Sequence, residues 1–317
     1  MKLGETVTAF LRCPKCRGEL RPEFEKMRCM SAGCSKEYPV VEGIPVLIDE
    51  ENSLFSMEQF LEFSPTTFDP GSFQRSESLL SRITPRISNN LSSVRDLRRF
   101  KDLVMQSNPA PRILVLGGGI ITIGTEALLD PRITLVESDV AHAPRTQIII
   151  DGHSIPFADG TFDGVVMQAM LEHVVDPYRV VSEAHRVLNA TGYVYASVPF
   201  MQQVHMAQYD FTRFTHLGLR RLFRCFEEID MGAFAGTGVA LSWAVNSFLA
   251  SLSDHRKARR LLEVAGAFAT FWLKYVDYLT RAKKGTFDGA SGYYFLGKKS
   301  WEVLADRELI KGYRGAG

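Results

Sequence analysis

Four of the chain's five cysteines fall between residues 13 and 34, spaced as C-x2-C, a gap of twelve residues, then C-x4-C. Zinc prefers four soft ligands in a tetrahedron, and two short-spaced pairs deliver them from two turns brought side by side. Pro14, Gly18 and Gly33 suit such turns. In a reducing compartment this crowding reads as metal ligation rather than disulfide pairing; unpaired buried cysteines are the alternative. Cys13, Cys16, Cys29 and Cys34 would fill the coordination sphere, which marks a structural rather than a catalytic zinc. The module they close is therefore small, and any chemistry belongs to the rest of the chain. After it comes "EYPVVEGIPVLI", an apolar run punctuated by Gly43 and Pro45, which predicts a short hairpin against the metal turns. Cys225 stands alone.

At 317 residues with 45% hydrophobic content, the chain can bury a large core and hold two domains. Its formal net charge of +1 gives no global reason to expect a polyanionic partner, despite basic excess around residues 75–101 and in the last third. RNA is therefore the less favoured partner. No signal-peptide series opens the sequence, and no uncharged run reaches the ~20 residues of a membrane span. The expectation is a cytoplasmic protein, with a peripheral position on the inner face of the membrane as its variant.

At residue 112 the pattern becomes strand, glycine turn and helix: "RILVLGGG", then "IITIGTEALL". Twenty residues after Gly117, "ITLVESD" supplies a second strand carrying Glu137. Glycines let backbone approach a nucleotide-like ligand, and an acidic residue at the next strand's end takes ribose hydroxyls. A plain packing turn is the alternative, and this spacing does not separate NAD from S-adenosylmethionine.

Two resemblances sharpen the reading. Residues 11–48, through "LRCPKCRGEL" and "YPVVEGIPVLI", resemble the small zinc-ribbon proteins that act as activating partners of methyltransferases modifying tRNA, rRNA and release factors. Residues 112–200 resemble class I S-adenosylmethionine-dependent methyltransferases of the small-molecule and quinone group, through the Asp151 turn, "IPF", "FDGVV", "LEHV", "EAHRVL" and "YVYASVP". This second resemblance implies that Gly117 and Gly119 pass close to the methionine part of the cofactor. It places ribose on Glu137, the adenine amine on Asp151, and Gln168 beside the cofactor. Two positions depart from the family: Val115 stands where an acidic residue is usual, and Ile121 where a small one is. His153 and His173 read as packing or hydrogen-bonded residues, since nothing in the sequence pairs either with a metal set.

Substrate enters this kind of fold over loops at the carboxyl ends of the strands, here "PFMQQVHMAQYDFTRFTHLGLRRLF". If the acceptor is a hydroxyl, a base must take its proton. His205 is the first candidate and Asp210 the second, with Tyr209 and Arg213 positioning substrate; an Asp210–Arg213 pair that merely braces the loop is the competing reading. Thr215 is expected to cap the helix "HLGLRRLF". Upstream, "SSVRDLRRFKDLVMQ" has helical spacing, while "SPTTFDPGSF" reads as connector. Downstream, "GVALSWAVNSFLASLSD" and "LLEVAGAFATFWLKYVDYLTRAKK" predict apolar helices covering the site, and "ASGYYFLGKKS" a last strand.

The expected fold is α/β: a Rossmann-like methyltransferase with a seven-stranded, mostly parallel sheet, preceded by a zinc ribbon. The expected division is residues 1–49 for the ribbon, 50–110 for a helical connector, 111–300 for the methyltransferase domain with its helical cover, and 301–317 for a tail. The expected function is methyl transfer from S-adenosylmethionine to an oxygen or nitrogen of a small molecule, with saccharides and lipid-linked intermediates as candidate classes. An RNA methyltransferase and a non-catalytic, cofactor-degenerate scaffold are the alternatives.

Overall fold

The computed structural model describes residues 1–62 and 83–317; the expected connector "SPTTFDPGSF" lies outside the described residues. After a single turn, α1 (Glu5–Thr8), the N-terminal module forms β1 (Leu20–Glu23), β2 (Lys26–Cys29), β3 (Glu37–Val41) and β4 (Ile44–Leu47). β3 and β4 are joined through Glu42 at φ 48° and Gly43 at φ 78°. Two consecutive left-handed residues are what a tight hairpin turn requires.

The remaining strands are β5 (Arg112–Leu116), β6 (Thr134–Asp139), β7 (Ile148–Ile150), β8 (Phe162–Gln168), β9 (Leu188–Pro199), β10 (Phe226–Ala235) and β11 (Gly292–Lys299). They lie in the order β7-β6-β5-β8-β9-β11-β10, the expected seven strands, parallel except at β11. The sheet does not stop there. β4 pairs parallel with β7, Val46 opposite Ile149 and Leu47 opposite Ile150, so the module's hairpins extend it to eleven strands. The reason lies in composition: "IPVL" is buried at all four positions and "III" at all three, so neither can serve as a solvated edge.

Helix α2 (Ser93–Ser107) covers one face with Leu97, Phe100 and Val104 fully buried, each contributing about 1.5–3 kcal/mol of burial. Gly164 of β8 makes this contact possible, because a Cβ there would lie 2.6 Å from the Phe100 ring. The other face carries α3 (Pro177–Val187), α4 (His216–Leu222) and the zinc module, all in one apolar core. Thr215 caps α4 by accepting from the Gly218 N–H at 3.0 Å.

One expected helix is replaced. After the glycine turn, "IITIGTEALL" makes only a 3-10 turn at Thr125–Leu128. Ile120 to Ile123 is a β-branched run that disfavours helix, and Gly124, at φ 93°, approaches the Ser93 carbonyl too closely for any side chain. α2 packs against this turn and fills the layer. The C-terminal apolar segments form α5 (Thr237–Ser251), α6 (Arg256–Thr270) and α7 (Leu273–Thr280), and residues 306–311 of the tail are helical.

Candidate functional site

The strand order reverses between β5 and β8, so the loops leaving β5, β6, β7 and β8 converge at one end of the sheet. A cavity of about 220 Å³ lies there, with apolar walls from Leu116, Ile120, Val140 and Met170. Gly117 adopts φ 74° on its floor, and a Cβ would press on Met170 at 3.4 Å. Asp139, Asp151 and Gln168 are among its polar groups. Apolar walls for a flat base and carboxylates for hydroxyl and amine donors fit an adenosyl cofactor.

The expected residues are placed unequally. Gly117, Asp151 and Gln168 line the cavity. Asp151 accepts from the His153 N–H at 2.9 Å, His153 Nδ1 at 2.5 Å and Ser53 Oγ at 2.5 Å. Burial pushes its carboxyl up, but the His153 and Ser53 bonds outweigh that and hold it below its usual range. His153 Nε2 accepts from the Asp176 N–H at 3.0 Å, so the ring is the Nδ1-protonated tautomer, a hydrogen-bonded structural histidine as expected. Gln168 is held by Thr122 Oγ1 at 2.9 Å and by the Ile123 carbonyl at 3.1 Å.

Glu137 does not face the cavity. It lies level with Val115, one pair below the rim, and Arg145 holds both its oxygens at 2.6 Å. The carboxylate at the rim is Asp139, which accepts from the N–H groups of Gly119 at 2.9 Å and Val140 at 2.7 Å. Burial outweighs those two bonds and pushes Asp139 up to about 6. Gly119 is needed for this contact, since a Cβ would fall 2.6 Å from Asp139 Oδ2. Val115 packs beneath Gly118, and Ile121 is exposed outside the cavity.

The chain just after the zinc module completes the site. Leu54 and Phe55 line the cavity, Ser53 holds Asp151, and the Phe55 ring stacks on Tyr209 with centroids 6.2 Å apart. Nothing in the sequence marks these residues. The Tyr209 ring backs Phe55 from outside the cavity lining, and its carbonyl accepts from His173 Nδ1 at 2.8 Å.

A second cavity, of about 1220 Å³, opens beyond Ala169, which lines both. Ala169 holds φ 50°, a strained conformation of the kind kept at functional sites. Gln202, Gln203 and His205 form one wall; Trp243 and Asn246 of α5, with Lys274, form another. Between the cavities stand Glu172, His173 and His205, with ligand-type atoms all within 4.8 Å of one another. Glu172 is 1% exposed and neither carboxylate oxygen has a hydrogen-bond partner among the described residues. Burial drives Glu172 up to about 8 and His173 down to about 4. The "LEHV" motif contained the signal for Glu172, but its burial was not readable there.

Asp210 and Arg213 brace the loop. Arg213 Nη2 donates to Asp210 Oδ2 at 2.7 Å, Nη1 to Oδ1, and Nε and Nη2 to the carbonyls of Gln202 and Gln203. Burial raises Asp210, yet the Arg213 bonds prevail and hold it at about 2. A carboxylate so held cannot serve as a base near neutral pH, and Arg213 is spent on backbone.

The four cysteine sulfurs also converge within 4.8 Å of one another, with Cys13–Cys34 at 3.7 Å and Cys16–Cys29 at 3.4 Å. Zinc–sulfur bonds of about 2.3 Å imply a sulfur–sulfur edge near 3.8 Å, so the cluster fits a closed, structural zinc. It sits away from both cavities and ties down a docking surface. Arg17 donates to the Ile155 carbonyl and to Glu183, each at 2.6 Å, and Ser154 Oγ donates to the Pro14 carbonyl at 2.7 Å.

Two stretches of the chain match different known proteins. Residues 125–196 match a family described as "Methyltransferase domain". The N-terminal part is 38% identical over 52 residues to a UPF0434 protein of Pseudomonas savastanoi, covering 16% of this chain and 85% of that one. A UPF0434 protein of Idiomarina loihiensis is 37% identical over 59 residues, covering 19% and 91%. Among solved structures, the complex of the Haloferax volcanii Trm112 methyltransferase activator and a methyltransferase aligns with TM-score 0.36 and 16% identity, covering 65% of this chain and 91% of that chain. The 1,6-didemethyltoxoflavin-N1-methyltransferase of Burkholderia thailandensis aligns with TM-score 0.39 and 14% identity, covering 66% and 79%.

Proposed function

We propose that this chain, which belongs to the UPF0434 family through its N-terminal module and carries a class I S-adenosylmethionine-dependent methyltransferase domain, methylates a hydroxyl of a polar small molecule, a saccharide or the head of a lipid-linked intermediate being the favoured class. The observation that carries the reading is the shared wall: Ala169 lines both cavities, and the Glu172, His173 and His205 side chains stand between them. A methyl acceptor in the larger cavity would meet the cofactor's sulfonium across that wall. The cofactor, when bound, supplies an electrophilic methyl group on sulfur.

The chain's own residues do the rest. Asp139 and Asp151 orient the adenosyl part, and Phe55 with Tyr209 keeps water from one side. Glu172, His173 and His205 are the groups nearest an acceptor oxygen held at this junction. In-line transfer needs the reacting atoms about 3–3.5 Å apart and water excluded more than it needs acid catalysis, which suits a narrow junction between two cavities. The trihelical cover places Trp243, Asn246 and Lys274 around the acceptor, a mixture of ring, amide and cation suited to a polyhydroxylated molecule.

The test is calorimetric titration of the zinc-loaded protein with S-adenosylmethionine and S-adenosylhomocysteine, followed by labelled-methyl transfer to saccharide and lipid-linked hydroxyl acceptors. Micromolar binding and labelling of a hydroxyl acceptor are expected. Absence of heat and of thermal protection with both ligands would remove the enzyme reading and leave a scaffold; labelling of RNA instead would replace the acceptor class.

A further inference from the structure

The junction between the two cavities holds a buried carboxyl group that has no hydrogen-bond partner among the described residues. Glu172 sits behind the rim at 1% exposure, two imidazole nitrogens face it, and Arg213 and Asp210 lie within electrostatic reach. His173 Nε2 lies 3.7 Å and His205 Nε2 4.0 Å from Glu172 Oε1. Each ring is turned toward the carboxylate by its other nitrogen. His173 Nδ1 donates to the Tyr209 carbonyl at 2.8 Å, while His205 Nδ1 lies 3.3 Å from both the Gln203 carbonyl and Asp210 Oδ2. A histidine that gives one N–H to a carbonyl or carboxylate and aims the other nitrogen inward is oriented as metal-ligating histidines are. Asp210 is itself held by Arg213.

We propose that Glu172, His173 and His205 bind a divalent transition-metal cation, distinct from the ribbon zinc, at the junction of the cofactor and acceptor cavities. One carboxylate and two imidazoles suit manganese, iron, cobalt or zinc, and three protein ligands leave positions open for an acceptor oxygen. Bonds of about 2.1 Å ask the ligand atoms to be roughly 3.4 Å apart, so the triangle closes with side-chain movements on the order of 1 Å. His205, on a partly exposed loop, can supply most of that movement. A dication would also give the two buried oxygens of Glu172 a partner, which they lack among the described residues.

The role of the cation rests on the methyl-transfer reading; the site itself does not. The acceptor hydroxyl, held at the open position, gives its proton to solvent. Its electron pair forms the O–CH₃ bond while the S–CH₃ bond of the sulfonium breaks, leaving the neutral thioether. The preferred acceptors would be those carrying two neighbouring oxygens able to chelate.

The experiment uses the full chain with its ribbon zinc-loaded, and Mn²⁺ as probe, because manganese does not compete for thiolates. Electron paramagnetic resonance counts bound Mn²⁺ with neither cofactor nor acceptor present. One equivalent is expected for the parent, and Glu172→Gln and His205→Ala are expected to weaken binding at least about tenfold. Thermal midpoint and S-adenosylhomocysteine affinity, measured on the same variants, show that the loss is not unfolding. Failure of the parent to bind Mn²⁺, or equal binding by parent and both variants, overturns the site. Mn²⁺ binding without cofactor binding would instead sink the methyltransferase reading and leave the metal site standing.

Discussion

At the scale of single residues, the informative pair is Glu137 and Asp139. Both are acidic, both belong to β6, and counting from the glycine turn selects Glu137. Register selects Asp139, because Leu116 is the last residue of β5 to pair and Asp139 lies past it. Sequence spacing cannot supply that, since it does not say where a strand's partner ends. Asp139 already accepts two backbone N–H groups but retains lone pairs for ribose hydroxyls. Asp139→Asn is therefore expected to weaken S-adenosylmethionine binding about tenfold or more, while Glu137→Gln changes affinity less than about threefold and lowers stability through the lost Arg145 pair. Calorimetry on both variants checks this, and the reverse ranking would restore Glu137 to the site. pH separates the two further. Because burial raises Asp139 from 3.8 to about 6, its contribution to stability is complete below pH 4 and is lost as pH climbs through 6. Cofactor affinity runs the other way, since the ionised carboxylate is the better acceptor. Parent affinity should rise several-fold from pH 5 to pH 7, and Asp139→Asn should flatten that rise.

At the scale of elements, what was legible follows from pattern and what was not follows from tertiary contact. The hairpin after the cysteines, α2, α4 with its Thr215 cap, and the last strand all carry local signals that the structure repeats. The helix after Gly119 was not legible as absent, because the competing α2 comes from the preceding segment and occupies its layer. Likewise, no local signal shows that Ser53 and Phe55 reach the cofactor cavity, since their placement is set by β4 joining β7. The helical cover depends on one contact of this long-range kind. Gly236 offers no side chain to cap α5, and the buried Asp277 of α7 does so instead, accepting from the N–H groups of Gly236 at 3.1 Å, Gly238 at 2.7 Å and Val239 at 3.1 Å. Removing it leaves buried donors unsatisfied at a helix N-terminus, so Asp277→Ala should cost about 2–4 kcal/mol. Hydrogen exchange should show α5 and α7 loosened together while the β5–β8 core stays protected. Loosening of α5 alone would mean that the two helices are not coupled through this carboxylate.

At the scale of the whole molecule, the zinc module and the methyltransferase domain share a sheet and a core, and the chain just after the module walls the cofactor cavity. Chelating zinc should therefore do more than unfold the first residues. β4 would lose its support, β7 would become an edge, and Ser53 would leave Asp151, so S-adenosylmethionine affinity should fall together with the thermal midpoint, the latter by at least about 5 °C. Restoration of both by added zinc, monitored by calorimetry, is the expected result; loss of midpoint with unchanged affinity would make the module a passive appendage. The opposite side of the molecule raises a separate question, because α5, α6 and α7 pack on one another yet leave Phe248, Leu261, Trp272 and Leu279 exposed, Leu279 by 79%. Arg256, Lys257, Arg281, Lys283 and Lys284 flank them in the sequence, while Asp277, one of the nearby acids, is buried in its cap. Apolar side chains bordered by cations suit the surface of an anionic bilayer, each cation near it being worth about 1 kcal/mol. No helix among the described residues is long and apolar enough to cross a membrane, so the expected contact is peripheral. The same helices line the acceptor cavity, so docking there would present it to a lipid-linked head group. The protein should float with vesicles containing phosphatidylglycerol and not with pure phosphatidylcholine, and should be released by high salt. The combined Phe248→Ser, Trp272→Ser and Leu279→Ser variant should lose binding more than tenfold, since each buried apolar side chain contributes about 1.5–3 kcal/mol. Flotation unchanged by these substitutions, or independent of lipid charge, would assign the exposed residues to another partner and leave the acceptor to arrive from solution.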